Sequence, residues 1–189
     1  MRPDDAHARR RHIGGADATS WRRRRHVPPP PTPRPGAAAY HRPVTETAPT
    51  FALAPRIREF IAETRFTSIA TIDPDGGPRQ AVVWYRLDGD EIVLNSKVGR
   101  RWPTNLLNDP RISLTIVDAS DEYRWVGLTG VVTAIRDQPT AQADIAEMAR
   151  RYHADDPDTA ERLIADRFER QQRISFRVRI DAVHDHLDD

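Results

Sequence analysis

The chain has 189 residues, with 29 basic against 28 acidic side chains and a formal net charge of +1, enough for one ordinary domain and too little for two sizeable ones. It contains no Cys, which excludes disulfide frameworks, thiolate zinc sites and a Cys nucleophile. It also lacks any apolar run near the roughly 18 residues that a membrane-spanning helix needs.

The charge is unevenly spread. Residues 1–50 carry ten Arg and four acids, a net of +6, and nine of the sixteen prolines. The rest of the chain carries 19 bases and 24 acids, a net of −5. Arg22 to Arg25 followed by Pro28 to Pro31 shows no apolar periodicity, so residues 1–50 read as a disordered or polyproline II extension. A twin-arginine export signal needs an apolar stretch after the arginines, and His26-Val27-Pro28-Pro29 does not supply one. A polybasic nucleic-acid arm, a solvated extension and a start placed too far upstream stay open for this segment. The −5 of residues 51–189 argues against a nucleic-acid surface there. The composition fits a soluble, cytoplasmic protein with no membrane partner.

From residue 51 the pattern becomes that of a folded domain, expected over 51–189. Ile57, Phe60 and Ile61 fall at helical spacing after Pro55. Phe66 to Ile72 is β-branched and ends at Asp73-Pro74-Asp75-Gly76-Gly77, a turn signal. Arg79 to Arg86 follows as a strand, and Asp88-Gly89-Asp90 turns it into Glu91 to Ser96, so these three strands are expected to be consecutive and antiparallel. A short helix containing Pro103 ends near Asn108-Asp109-Pro110. Arg111 to Asp118 is a fourth strand and Tyr123 to Ile135 a fifth. Two helices are predicted over Pro139 to His153 and Pro157 to Arg170, the first with an apolar stripe of Ile145, Met148, Ala149 and Tyr152. The last strand, Arg173 to Val183, alternates: Ile174, Phe176, Val178 and Ile180 face one way, Ser175, Arg177 and Arg179 the other. Six strands with flanking helices predict a mainly β fold, a small antiparallel barrel.

Side chains that perform catalysis unaided are scarce. His184 and His186 flank Asp185 without further ligands in the pattern, so no metal site is expected. His153 sits beside Asp155 and Asp156 as a helix-end or solvated residue. There is no nucleophile elbow, Gly-rich dinucleotide turn or P-loop. A bound cofactor would have to carry any redox chemistry. The informative stretch is Asn95-Ser96-Lys97-Val98-Gly99-Arg100-Arg101-Trp102-Pro103-Thr104-Asn105, which follows a strand and enters a helix. Three cations, among them the only Lys of the chain, stand with the Ser96 hydroxyl, two carboxamides and a glycine. Such a set suits a phosphate; an exposed basic loop has the same composition. Trp84 and Trp102 offer aromatic surface to a ring.

The order of helix, strand, DPDGG turn, RQAVVWYRLDGD hairpin, VLNSKVGRRWPTNLLNDPRISLTIVD and late RISFRVRIDAVH strand resembles the pyridoxamine 5'-phosphate oxidase-like, FMN-binding split-barrel superfamily. Within it, residues 55–185 look like the flavin/deazaflavin oxidoreductase branch that uses coenzyme F420. The resemblance implies a six-stranded antiparallel split barrel and a homodimer with cofactor sites at its interface. It implies an F420-dependent reductase that passes a hydride to a conjugated small-molecule acceptor. The alternatives are an FMN-dependent oxidase or reductase, and a non-catalytic carrier of flavin, deazaflavin or haem. It also implies cofactor contacts at Arg79, Val82 and Trp84 on the second strand, at Asn95, Ser96 and Lys97 on the strand end, and at Arg100. In the resembling pattern a cation stands three positions before the helix Asn, here Asn105. Trp102 occupies that place and Arg101 beside it is expected to supply the missing charge as a cofactor contact, while Trp102 reads either as a cofactor contact or as helix packing. No catalytic acid is assigned, Tyr85 and Ser96 being placed only by position.

Overall fold

Residues 52–188 are described by a computed structural model; the expectations for residues 1–50 lie outside them. Alternating β-branched segments pair into one antiparallel sheet of seven strands in the order β2-β1-β5-β6-β7-β4-β3. The strands are β1 (Thr67–Ile72), β2 (Pro78–Val83), β3 (Tyr85–Asp88), β4 (Glu91–Lys97), β5 (Arg111–Val117), β6 (Trp125–Arg136) and β7 (Arg173–His186). The helices are α1 (Pro55–Ala62), α2 (Arg101–Asn108), α3 (Gln138–Tyr152) and α4 (Pro157–Leu163). A π-helical turn, Ile164–Phe168, continues α4.

The expected strand Arg79 to Arg86 is two strands, which raises the count from six to seven. β2 pairs with β1 and β3 with β4, so the two halves of one run form opposite edges of the sheet. In a flat sheet those edges would stand about 29 Å apart at normal strand spacing. Only Trp84 separates them, so the sheet must curl until its edges meet. At the switch of partner the Tyr85 N–H donates to the Tyr152 hydroxyl of α3 at 3.1 Å instead of to a strand. Side-chain alternation runs through the break regardless. Val83 and Tyr85 enter the barrel core, while Trp84 faces the helices.

The barrel core holds Ile69, Leu94, Ile116, Leu128, Phe176 and Val178, and it receives Ile57, Phe60 and Ile61 from α1 and Trp102 and Leu106 from α2. A second, smaller cluster lies outside the barrel, where Val93 meets Ile145, Met148 and Ala149 of α3 and Ile164 and Phe168 beyond α4. β4 is therefore buried on both faces, as is the start of β7. Ser175, expected on the polar face, is fully buried beneath α3. Asp137 and Asp156 cap α3 and α4, each accepting from the N–H three residues on at 3.1 Å. The predicted helix Pro157 to Arg170 changes pitch at Ile164, where the Glu169 N–H reaches back five residues to the Ile164 carbonyl at 2.9 Å. The pairing of β6 with β7 shifts at Thr129/Gly130. A Cβ on Gly130 would lie 2.1 Å from the Arg179 carbonyl oxygen, so the two backbones come too close there for any side chain.

Candidate functional site

The partner switch at Trp84 and the helical layer beside β4 create a cavity of about 230 Å³. Phe66, Val82, Val83 and Trp84 form one wall, Asn95 and Arg100 the floor and one rim, and Ile145, Arg167, Phe168 and Arg173 the opposite wall. The rim is apolar and open: Phe66 is 62% and Val82 72% exposed. Trp84 is held from behind by Tyr152, stacked at 4.8 Å and 12°, and meets the Phe168 ring edge-on at 6.2 Å. Tyr152 is fixed in turn by donating to the Arg65 carbonyl at 2.5 Å. Burial raises its pKa, so the hydroxyl stays protonated.

Three guanidinium groups line this cavity, and among the described residues none of them has a carboxylate partner. Arg173 is only 6% exposed. Its Nε donates to Asn95 Oδ1 at 2.9 Å, its Nη1 to Gln171 Oε1 at 2.8 Å, and its Nη2 also reaches Asn95 Oδ1. The Asn95 amide donates to the Ala141 carbonyl and to Ser175 Oγ, both at 2.7 Å, which locks its orientation. Burial first, then the charges of Arg100 and Arg167, lower the Arg173 pKa to about 10. The group remains a cation at neutral pH, surrounded by neutral partners and like charges.

The residues expected from the sequence fall into four places. Val82, Trp84, Asn95 and Arg100 meet at the cavity. Arg79 and Arg101 gather instead on Asp73, their Nε atoms 3.3 and 2.9 Å from its carboxylate, and Asn105 Nδ2 donates to the same group at 2.7 Å. Arg101, then Asn105, hold the Asp73 carboxyl well below the usual range. Ser96 and Trp102 point into the barrel: Ser96 is fully buried, and Trp102 is 5% exposed with its ring 5.9 Å from Phe176. Lys97 is exposed at the end of β4, directly opposite Arg173 in register. The chain turns from β4 into α2 through Gly99, whose φ of 86° favours glycine. Asp73, Arg167, Phe168 and Arg173 were not singled out in the sequence. Asn95 was the available signal for Arg173, because an amide inside an apolar strand requires buried partners.

Among the described residues there is no group of three or more His, Asp or Glu able to hold a metal. No helix among them is long and apolar enough to cross a membrane.

A curled antiparallel sheet whose edge strands join at Trp84, flanked by helices with a cationic and aromatic cavity beside the seam, defines a split barrel. The model of the pyridoxamine 5'-phosphate oxidase family matches residues 53–186, and the chain belongs to that family. Solved structures share the fold. An F420 reductase aligns with a TM-score of 0.55 at 22% identity, over 67% of this chain and 94% of its own. A conserved hypothetical protein from Mycobacterium tuberculosis aligns at 0.57 and 25% identity, over 75% and 91%. A haem storage protein from Vibrio cholerae aligns at 0.54 and 20%, over 70% and 94%. No curated protein matches the sequence.

Proposed function

We propose that the protein is an F420-dependent oxidoreductase that reduces a conjugated small molecule at a CH–CH-type bond, working as a cytoplasmic homodimer. The observation that carries this reading is the set of cations without acidic partners beside an aromatic cavity in a flavin-binding fold. When bound, reduced F420 supplies a hydride. Everything else asked of this chain is binding, orientation and exclusion of water.

Lys97 and Arg100 would hold the anionic tail, since neither has a carboxylate partner among the described residues. Arg79 and Arg101 contribute only if they leave Asp73. The exposed Val82 and Phe66 offer apolar support at the rim, with Trp84 behind them. Asn95 acts as a positioning residue, because its amide is committed to Arg173, Ala141 and Ser175.

A second reading, an FMN-dependent oxidase or reductase, is favoured by one observation. With Trp102 in the core and Arg101 on Asp73, only Lys97 and Arg100 remain unpaired in the loop, a number that suits one phosphate dianion. Titration of the purified protein with F420 and with FMN, followed by fluorescence, separates the two. The expected result is tighter binding of F420, weakened about 10-fold or more by Lys97→Ala with Arg100→Ala. Retention of FMN alone would overturn the F420 reading. Tight binding of either cofactor without turnover of any conjugated acceptor would make the protein a carrier.

A further inference from the structure

Arg173 poses an energetic question that the cofactor reading leaves unanswered. A guanidinium buried to this degree is normally neutralised by a carboxylate. Position 95 has the right place for one, two N–H groups of Arg173 already converging on the Asn95 side-chain oxygen. Asp and Asn differ there by a single group, yet the chain carries the neutral amide. The positive charge of Arg173 is thereby preserved inside the cavity, next to Arg100 and Arg167. Of the five N–H donors of a guanidinium, three are used by Asn95 and Gln171, which leaves two for a ligand.

The wall around this cation is aromatic. The Arg173 guanidinium carbon lies 5.1 Å and that of Arg167 5.9 Å from the centre of the Phe168 ring, so the two cations flank Phe168. Arg167 and Phe168 both belong to the π-helical turn. The wider turn lets two consecutive residues reach one cavity, and such turns are frequent at functional sites. Arg167, Phe168 and Arg173 come from elements separate from the loop assigned to the cofactor tail. The volume of about 230 Å³ also bears on the occupant. A closed cavity of about 150 Å³ takes benzene, so this open one has room for a single ring with a short acid chain.

We propose that the cavity beneath the π-helical turn binds a small planar, conjugated carboxylate, with Arg167 and Arg173 recognising the carboxylate and Trp84 and Phe168 the ring. On the oxidoreductase reading, on which only this last step rests, that molecule is the electron acceptor. Arg167 and Arg173 are then its specificity-determining residues.

Calorimetric titration with cinnamate, and with cinnamamide as its uncharged counterpart, tests this on the purified protein. Cinnamate should bind, and cinnamamide about 10-fold more weakly or not at all. Arg167→Ala, an exposed side chain whose removal spares the core, and Arg173→Met should each weaken cinnamate by about 10-fold. Arg167→Ala should leave F420 and FMN affinity within about twofold of the wild type. Equal binding of acid and amide, or no binding of either, would overturn the proposal. Loss of cofactor affinity in Arg167→Ala matching the loss for cinnamate would overturn it too, by assigning these arginines to the cofactor. Cinnamate binding in a protein that takes neither cofactor supports the anion site and removes the oxidoreductase reading instead.

Discussion

Replacing Asp144 by Ala tests how the helical layer is fastened to the barrel. Asp144 of α3 is 4% exposed, and its Oδ1 accepts from Arg86 Nη2 of β3 at 2.8 Å, the Arg86 side chain being 13% exposed. Breaking a buried ion pair from one side costs about 3–5 kcal/mol, because the other charge stays in place unpaired. Arg86 keeps two weaker neighbours, Glu147 at 3.2 Å and Asp88 at 3.3 Å, both well exposed. Screened pairs of that kind recover up to about 1 kcal/mol, which leaves a net loss of about 2–4 kcal/mol. With a urea m-value of about 2 kcal/mol/M, the unfolding midpoint should fall by about 1–2 M. Asp144→Asn, which keeps the shape and drops the charge, should lose less. Arg86→Met combined with Asp144→Leu should return to within about 1 kcal/mol of the wild type, since an apolar pair avoids the desolvation cost. A loss below about 1 kcal/mol in Asp144→Ala, or a double variant as unstable as the two single changes added together, would refute the reasoning. Ile145 follows Asp144 directly and lines the cavity, so ligand affinity should drop with stability.

Other expectations follow from single features. Asp73 titrates below its ordinary value of 3.8 in the folded protein, so its contribution is complete above that pH and is lost as pH falls below it. The Tm gap between wild type and Asp73→Asn should therefore be full near pH 6 and shrink as pH falls from about 4 toward 2, and a constant gap would count against the Arg101 and Asn105 contacts. Trp102→Phe should cost about 1–2 kcal/mol by denaturation while leaving cofactor affinity unchanged, as packing on Phe176 requires; a selective loss of cofactor would make Trp102 a ligand contact. Gly130→Ala should lose about 3 kcal/mol, because the new methyl meets the fixed Arg179 backbone. A neutral result in thermal unfolding would mean that β6 and β7 can separate at the bulge.

Much of the fold was legible because one face of most strands is buried, and period-two alternation exposes that directly. The final strand, the turn at Asp73 to Gly77 and the apolar stripe of α3 all declare themselves within a few residues. The break at Trp84 does not. Alternation continues across it, and the partner of the Tyr85 N–H is a hydroxyl on Tyr152, 67 residues away. The site was legible only on its local side. Val82, Trp84, Asn95 and Arg100 stand close together in the chain, whereas Arg173 reads as a solvent-facing position until α3 and α4 cover it. Arg79 and Arg101 read as available cations because Asp73, their partner, looks like a turn residue. Charge type is visible in a sequence; charge neutralisation is a tertiary property.

The one-residue link between β2 and β3, the two edge strands of the sheet, also constrains which changes in length the chain tolerates. Loops elsewhere lengthen at modest entropic cost. Between Val83 and Tyr85 the arithmetic is discrete. One added or missing residue would reverse the facing of either β2 or β3, turning Val83 or Tyr85 out of the core and Trp84 away from Tyr152. The barrel seam and the cavity wall share Val83 and Trp84. Substitutions there tune the ligand site by degrees, while insertions and deletions abolish barrel and site together.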